Sequence, residues 1–150
     1  MPAYRIPVLV WTDHEGFVSV DILRSPRVRT VVFVLFPNQA LPQHKHPPYD
    51  DEPGKEETIR VLWGKAKVYV PGSATNEDVR IPPGKDAYYT VFDEIKLEAG
   101  DQYTIPPDTE HWFQGGSKGA VVITFQNRVD ESRNYFRDPR STGCPITLDD

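Results

Sequence analysis

Prolines and glycines punctuate this chain so densely that a long helix has nowhere to run. Its 150 residues include 15 prolines and 10 glycines, and apolar residues hardly ever recur at helical spacing. Between the breaks lie short β-rich runs. Val28 to Phe36, VRTVVFVLF, is the richest in β-branched and aromatic residues and is expected to be a central strand. Before it, Pro7 to Trp11 reads as a short apolar run. Asp13–Gly16 reads as a turn that leaves His14 exposed, and Phe17 to Leu23 as a strand that breaks at Ser25-Pro26. After it, Pro37 to Gln39 turns the chain into a strand holding two histidines. Pro47 to Lys55 reads as an acidic rim loop whose Asp50, Asp51 and Glu52 are solvated. Glu56 to Trp63 follows as a strand, then Gly64-Lys65 as a hairpin turn into Ala66 to Val70. Pro71 to Lys85 reads as a long loop, Tyr88 to Glu98 as a strand ending at the Ala99-Gly100 turn, and Tyr103 to Ile105 and Glu110 to Gln114 as strands. Gly115 to Gly119 is expected to turn into a last strand, Ala120 to Asn127, with the polar remainder, Arg128 to Asp150, packed over one end. About ten short strands with almost no helix predict an all-β sandwich or barrel. With no linker or repeat in between, residues 1–150 read as a single domain, enough to bury roughly two-thirds of the unfolded surface.

Charge narrows the class of partner. A net charge of −5 and a pI near 5.3 argue against nucleic acid and against an acidic membrane surface. The single cysteine, Cys144, cannot form an intrachain disulfide and suits a reducing compartment. No basic segment followed by an apolar one opens the chain, and the longest apolar run, Val31 to Phe36, is too short to span a bilayer. A soluble cytoplasmic protein is the expectation.

Two stretches carry chemistry: Gln43 to Gly64, QHKHPPYDDEPGKEETIRVLWG, and Gly100 to Gly115, GDQYTIPPDTEHWFQG. Three of the four histidines fall in them, His44, His46 and His111. Side chains at i and i+2 of a strand share a face, roughly 7 Å apart at Cα, so His-Lys-His aims two imidazoles at one point. Glu57 and His111 complete a four-ligand metal site with positions left for solvent. Strand parity places Lys55, Ile59 and Val61 in phase with Glu57, and Phe113 in phase with His111; across the bend, Tyr103 joins them. Phe113 and Tyr103 are candidates for the substrate wall, although apolar residues there also serve as core. Lys55 either points at the ligand face or, if the backbone bends at Gly54, lies in solvent.

The two stretches resemble the paired signature motifs of the cupin superfamily, with three departures. Ten residues separate His46 from Glu57 in place of three or four, Asp108 stands for the second motif's glycine, and Gly115 for its asparagine. The resemblance implies a double-stranded β-helix, a jelly-roll barrel whose mouth holds the metal. A more specific likeness lies in HPP…GKEET…RVLWGK, in YYTVFDEIKLEAGDQYTIPPDTEHWFQGG and in the run from Phe136 to Arg140. Together these resemble the D-lyxose isomerase family over roughly residues 30 to 140. That family implies an aldose–ketose isomerase acting on a free sugar such as D-lyxose/D-xylulose or D-mannose/D-fructose, by proton transfer through a metal-chelated enediol. It also implies one divalent ion, usually Mn2+, with Fe2+, Co2+, Zn2+ or Ni2+ as alternatives. His44, His46, Glu57 and His111 match the family's ligands, and Lys55 matches its active-site lysine. The family carries an acidic residue where Thr124 aligns and a glutamate-rich tail where this chain has only Asp149 and Asp150, so the general base stays unassigned. The same ligand set also occurs in Fe(II) or Ni(II) dioxygenases, and some cupins only bind sugars. Exposed sheet edges at the N-terminal strands suggest a homodimer.

Overall fold

The β-branched run after Arg27 forms a strand that is flanked on both sides. In a computed structural model that describes residues 18–25, 27–75, 79–127 and 130–141, this strand, β2 (Val28–Leu35), lies between β1 (Val18–Arg24) and β7 (His111–Asn127). Alternate residues Val31, Phe33 and Leu35 turn inward and are buried, as period-2 patterning demands. The other strands are β3 (Ala40–Lys45), β4 (Glu57–Val70), β5 (Asp93–Glu98), β6 (Gln102–Ile105) and β8 (Tyr135–Phe136). Every pairing is antiparallel, in the order β1-β2-β7-β3-β8, with β4 pairing with β5, β6 and β7. The sheet does not close on itself but wraps an apolar core that includes Val31, Leu35, Ile59, Val61, Val68, Leu97, Phe113 and Val122. Full burial of one such side chain contributes roughly 1.5–3 kcal/mol. Two short 3-10 turns, Asp86–Tyr88 and Glu131–Arg133, are the helical content among the described residues. This is the expected all-β, cupin-type architecture. Among the described residues no helix is long and apolar enough to cross a membrane.

Several expected boundaries are corrected. Gly64-Lys65 is not a hairpin turn, because β4 runs unbroken from Glu57 to Val70. A hairpin would make the two halves of β4 each other's neighbours, whereas both halves pair with β7 instead. Gly64, at φ +76°, absorbs a bulge where the register shifts. Nor do Gly115 to Gly119 end a strand. Gly115 pairs with Ala66 and Ala120 with Gly64, so the residues between them loop out opposite Lys65 while β7 continues. The strand expected from Tyr88 begins only at Asp93. The residues before it trade ladder bonds for aromatic packing: Tyr89 meets Trp112 edge-on at 4.7 Å, and Trp112 Nε1 donates to the Val91 carbonyl at 2.9 Å. Long strands replace several short ones, which leaves eight strands among the described residues. The readings on Pro7 to Trp11, Asp13–Gly16 with His14, Phe17, Pro26, Cys144 and the Asp149–Asp150 tail lie outside the described residues.

At about 3.3 Å per residue, a straight strand the length of β7 would hold its ends about 50 Å apart. Yet both ends of β7 reach Glu57: His111 lies 3.8 Å from it and Gln126 lies 2.9 Å from it. The β4–β7 ribbon therefore curls until its ends face each other across the interior, and the site lies where they meet.

Candidate metal centre

Each candidate ligand comes from a different point of this curl. His44 stands near the end of β3 and pairs with His111, the first residue of β7. His46 follows β3, and Glu57 opens β4 opposite Gln126. The rim loop between them, with Asp50, Asp51 and Glu52 exposed as expected, closes back on the histidine strand. Gly54 makes that possible: its φ is +96°, and a Cβ there would sit 2.4 Å from the His46 carbonyl oxygen. Asp108, where the motif has glycine, also lies in the left-handed region, at φ 56°. Aspartate is one of the few residues that tolerates it. Its N–H donates to the His46 carbonyl at 3.0 Å and its carboxylate pairs with Lys45 at 2.6 Å, so this departure keeps the turn's geometry.

His44, His46, Glu57 and His111 are all buried, and their ligating atoms lie within 4.8 Å of one another. The imidazoles are oriented from behind. His44 Nδ1 donates to the Pro42 carbonyl and His111 Nδ1 to the Thr109 carbonyl, each at 2.8 Å, so both carry their hydrogen on Nδ1. His46 Nδ1 meets the Asn134 Oδ1 at 2.8 Å. Such contacts turn the bare Nε2 lone pairs inward, as in a metal site. His111 Nε2 is buried without a hydrogen-bond partner among the described atoms, and it lies 3.8 Å from Glu57 Oε2. His46 Nε2 and the same carboxylate oxygen, 3.2 Å apart, must share a proton or a cation. A set of inward acceptors with an orphaned nitrogen fits a divalent cation.

The electrostatics agree. Burial, then the charges of His111 and His46, hold His44 well below the usual imidazole range. Burial and His46 push His111 down to about 4. Burial alone would raise Glu57, but the contact with His46 and the charge of Lys55 outweigh it and hold the carboxyl well below its ordinary range. His44 and His111 thus stay neutral and Glu57 ionised, the forms that bind a cation.

Lys55 points inward. It is buried, and Nζ donates to Gln126 Oε1 at 3.2 Å; the backbone does not turn it into solvent. Phe113 is buried with its ring 5.4 Å from His111 and 6.4 Å from His44, and it is also part of the apolar core. Tyr103 is half-buried on β6 opposite Ile59 and packs against that core.

Three residues near the ligands are given no role in the site by the sequence reading. Gln126 bridges Lys55, Glu57 and Thr124; its parity with Val122 and Thr124 was the available signal. Asn134 orients His46, and Phe136 stacks on His44 at 5.3 Å and 23°. Both come from the segment after β7, whose β8 adds to β3. Behind the ligands, Gln43 donates to Glu110 and to Thr90 Oγ1, and Arg137 donates to Glu110, which ties that segment down. Thr124 is buried and its Oγ1 accepts a hydrogen bond from Gln126 Nε2 at 2.9 Å.

No protein-family model matches the chain. It is 44% identical over 133 residues to the D-lyxose ketol-isomerase of Cohnella laeviribosi, covering 88% of this chain and 73% of that protein. It is 49% identical over 134 residues to the D-lyxose/D-mannose isomerase of Thermosediminibacter oceani, covering 89% and 74%. A D-lyxose ketol-isomerase of a Thermofilum species is 39% identical over 143 residues, covering 95% and 73%. Among solved structures, the L-ribose isomerase of Acinetobacter sp. DL28 in complex with L-ribose superposes with a TM-score of 0.73 at 18% identity, covering 86% of this chain and 73% of that one. The Cellulomonas parahominis L-ribose isomerase with L-psicose gives 0.67 at 17% identity, over 86% and 73%. At such identities these structures speak for the fold alone.

Proposed function

This chain belongs to the D-lyxose ketol-isomerase family, and on that premise we propose that it interconverts a free aldose and its ketose. D-lyxose/D-xylulose or D-mannose/D-fructose are the pairs to test first. The observation that carries the reading is three imidazoles held at Nδ1 from behind, their Nε2 atoms converging on Glu57, with the Lys55 ammonium on the same face. His44, His46, Glu57 and His111 would hold a divalent cation, which when bound would supply Lewis-acid polarisation of the sugar and ease loss of the C2 proton. Mn2+ is the cation the family resemblance implies, with Fe2+, Co2+, Zn2+ or Ni2+ as alternatives, because three imidazoles and a carboxylate accept several divalent ions.

Aldose–ketose conversion moves one proton from C2 to C1 and one from O2 to O1, with no net change in atoms or electrons. In this reading Lys55, buried on the same face, donates a hydrogen bond to O1 or O2 as negative charge builds there, and hands a proton between them. His44 and His111 stay neutral, and together with His46 they orient the centre. Burial of all four ligands keeps bulk water from competing for the charge. Phe113 and Tyr103 are the side chains we assign to the sugar's apolar flank. We further propose that the enzyme is a homodimer: among the described residues β1 pairs only with β2 and exposes Val20, Ile22 and Leu23, an apolar strip suited to a second copy. The test is a panel of free aldoses and ketoses with Mn(II), read by product chromatography. Turnover of none of them, with oxygen consumed in the presence of Fe(II), would replace the isomerase reading with a dioxygenase.

A further inference from the structure

Gln126 is buried between two opposite charges and faces each with the right end of its amide. Nε2 donates to Glu57 Oε1 at 2.9 Å and to Thr124 Oγ1 at 2.9 Å, while Oε1 accepts from Lys55 Nζ at 3.2 Å. The amide has one orientation available. Reversed, its oxygen would face the Glu57 carboxylate and its NH2 group would face the ammonium. Gln126 is also directly opposite Glu57 in the β4–β7 ladder, so backbone pairing sets the distance between the two side chains.

The consequences for the two charged groups differ. Glu57 has Oε1 taken by Gln126, which leaves Oε2 as the oxygen 3.2 Å from His46 and 3.8 Å from His111. Lys55 lies two residues before Glu57 on the same face of the chain. In a buried site such an ammonium and carboxylate attract strongly. Paired directly, the lysine would occupy the carboxylate that the cation needs and would itself be withdrawn from the substrate.

We propose that Gln126 is a positioning residue: its amide spaces the Lys55 ammonium away from the Glu57 carboxylate, and by doing so leaves Oε2 turned toward the cation position. The inference rests on the reading that the four ligands hold a divalent cation, and it is tested without requiring turnover.

The experiment measures Mn(II) affinity of the chelator-stripped full chain by electron paramagnetic resonance of free Mn(II), for wild type, Gln126→Met, Lys55→Met and the double variant. Gln126→Met should weaken Mn(II) binding by about 10- to 100-fold, the range found when a residue supporting a metal ligand is removed. Lys55→Met should bind Mn(II) at least as well as wild type. In the Lys55→Met background, Gln126→Met should change affinity by no more than about twofold, because no ammonium remains to capture Glu57. An equal loss in both backgrounds would mean that Gln126 only fills space, and unchanged affinity in Gln126→Met would mean that it positions nothing; either overturns the proposal. Circular dichroism reports whether Gln126→Met folds. If it does not, Thr124→Val keeps the volume and removes only the acceptor of the amide's second N–H. It should then weaken Mn(II) about threefold in the presence of Lys55 and not in its absence. A failed sugar panel with this coupling intact would sink the isomerase reading alone, and a wild-type chain that binds no Mn(II) would overturn the positioning role.

Discussion

Acid should destabilise the cation-free protein through its buried imidazoles before its carboxylates titrate, and His111 gives the size of the effect. Burial first, and the neighbouring His46 second, push His111 from 6.5 down to about 4. The folded state therefore keeps this ring neutral where the unfolded chain protonates it. Between about pH 6.5 and 4 the unfolded chain binds more protons, so the contribution is complete above that window and is lost as pH falls through it. At pH 5 nearly all unfolded chains carry the proton at this position, against about a tenth of folded ones. Linkage then gives a loss of about 2 kcal/mol relative to neutral pH. His44, also held low, acts in the same direction. Glu57 is held below its ordinary range, so its contribution is lost only at more acid pH, and the interval from pH 7 to 5 isolates the imidazoles. For a chain of this length, about 2 kcal/mol corresponds to roughly 4–8 °C in Tm. The assay is urea unfolding of chelator-stripped protein at pH 7.5 and 5.0, for wild type and His111→Gln, whose amide does not titrate. The variant should lose about 2 kcal/mol less than wild type across the interval. Equal losses would show that His111 is not the buried neutral group that this geometry requires. Saturating cation should flatten the wild-type profile, because a proton and a cation compete for the same Nε2.

The remaining expectations concern the centre and its assembly. Purified protein should carry about one divalent ion per chain by elemental analysis, since one four-ligand cluster occurs among the described residues. His44→Ala and His111→Ala should each lose it, and full metal content in both would refute the assignment. Lys55→Met should keep the fold and the metal while lowering sugar turnover by roughly 10² or more, the usual worth of a positioned proton donor; near-wild-type turnover would remove Lys55 from the reaction. Light scattering at micromolar concentration should report the mass of two chains, and a monomer mass would leave the apolar strip on β1 without a partner.

Local pattern carried much of this protein. Alternation of side chains along a strand is a property of a few consecutive residues, so β2 and the inward phase of Ile59 and Val61 with Glu57 could be read directly from spacing, whereas spacing left Lys55 between the ligand face and solvent and only the fold buries it. The same holds for the imidazole pair of His44 and His46, which two-residue spacing aims at one point. Glycine-rich stretches misled the reading where a neighbouring strand overrode them. At Gly64 and at Gly115 to Gly119 the chain looks like a turn, and only ladder bonds from β7 and β4 to each other keep it extended through a bulge. Asp108 reads as a departure from the motif in sequence, yet it takes the left-handed backbone that glycine adopts most freely. Spacing alone does not show that the two ends of β7 meet, or that Gln126 lies against Glu57 across 69 residues of chain. Nor does it show that Asn134 reaches His46 across 88. Those contacts depend on the register of paired strands and on the curl of the whole sheet. Register is set by which backbone groups find partners once the chain is folded, so the four candidate ligands could be named from the sequence while the residues that pack behind them could not.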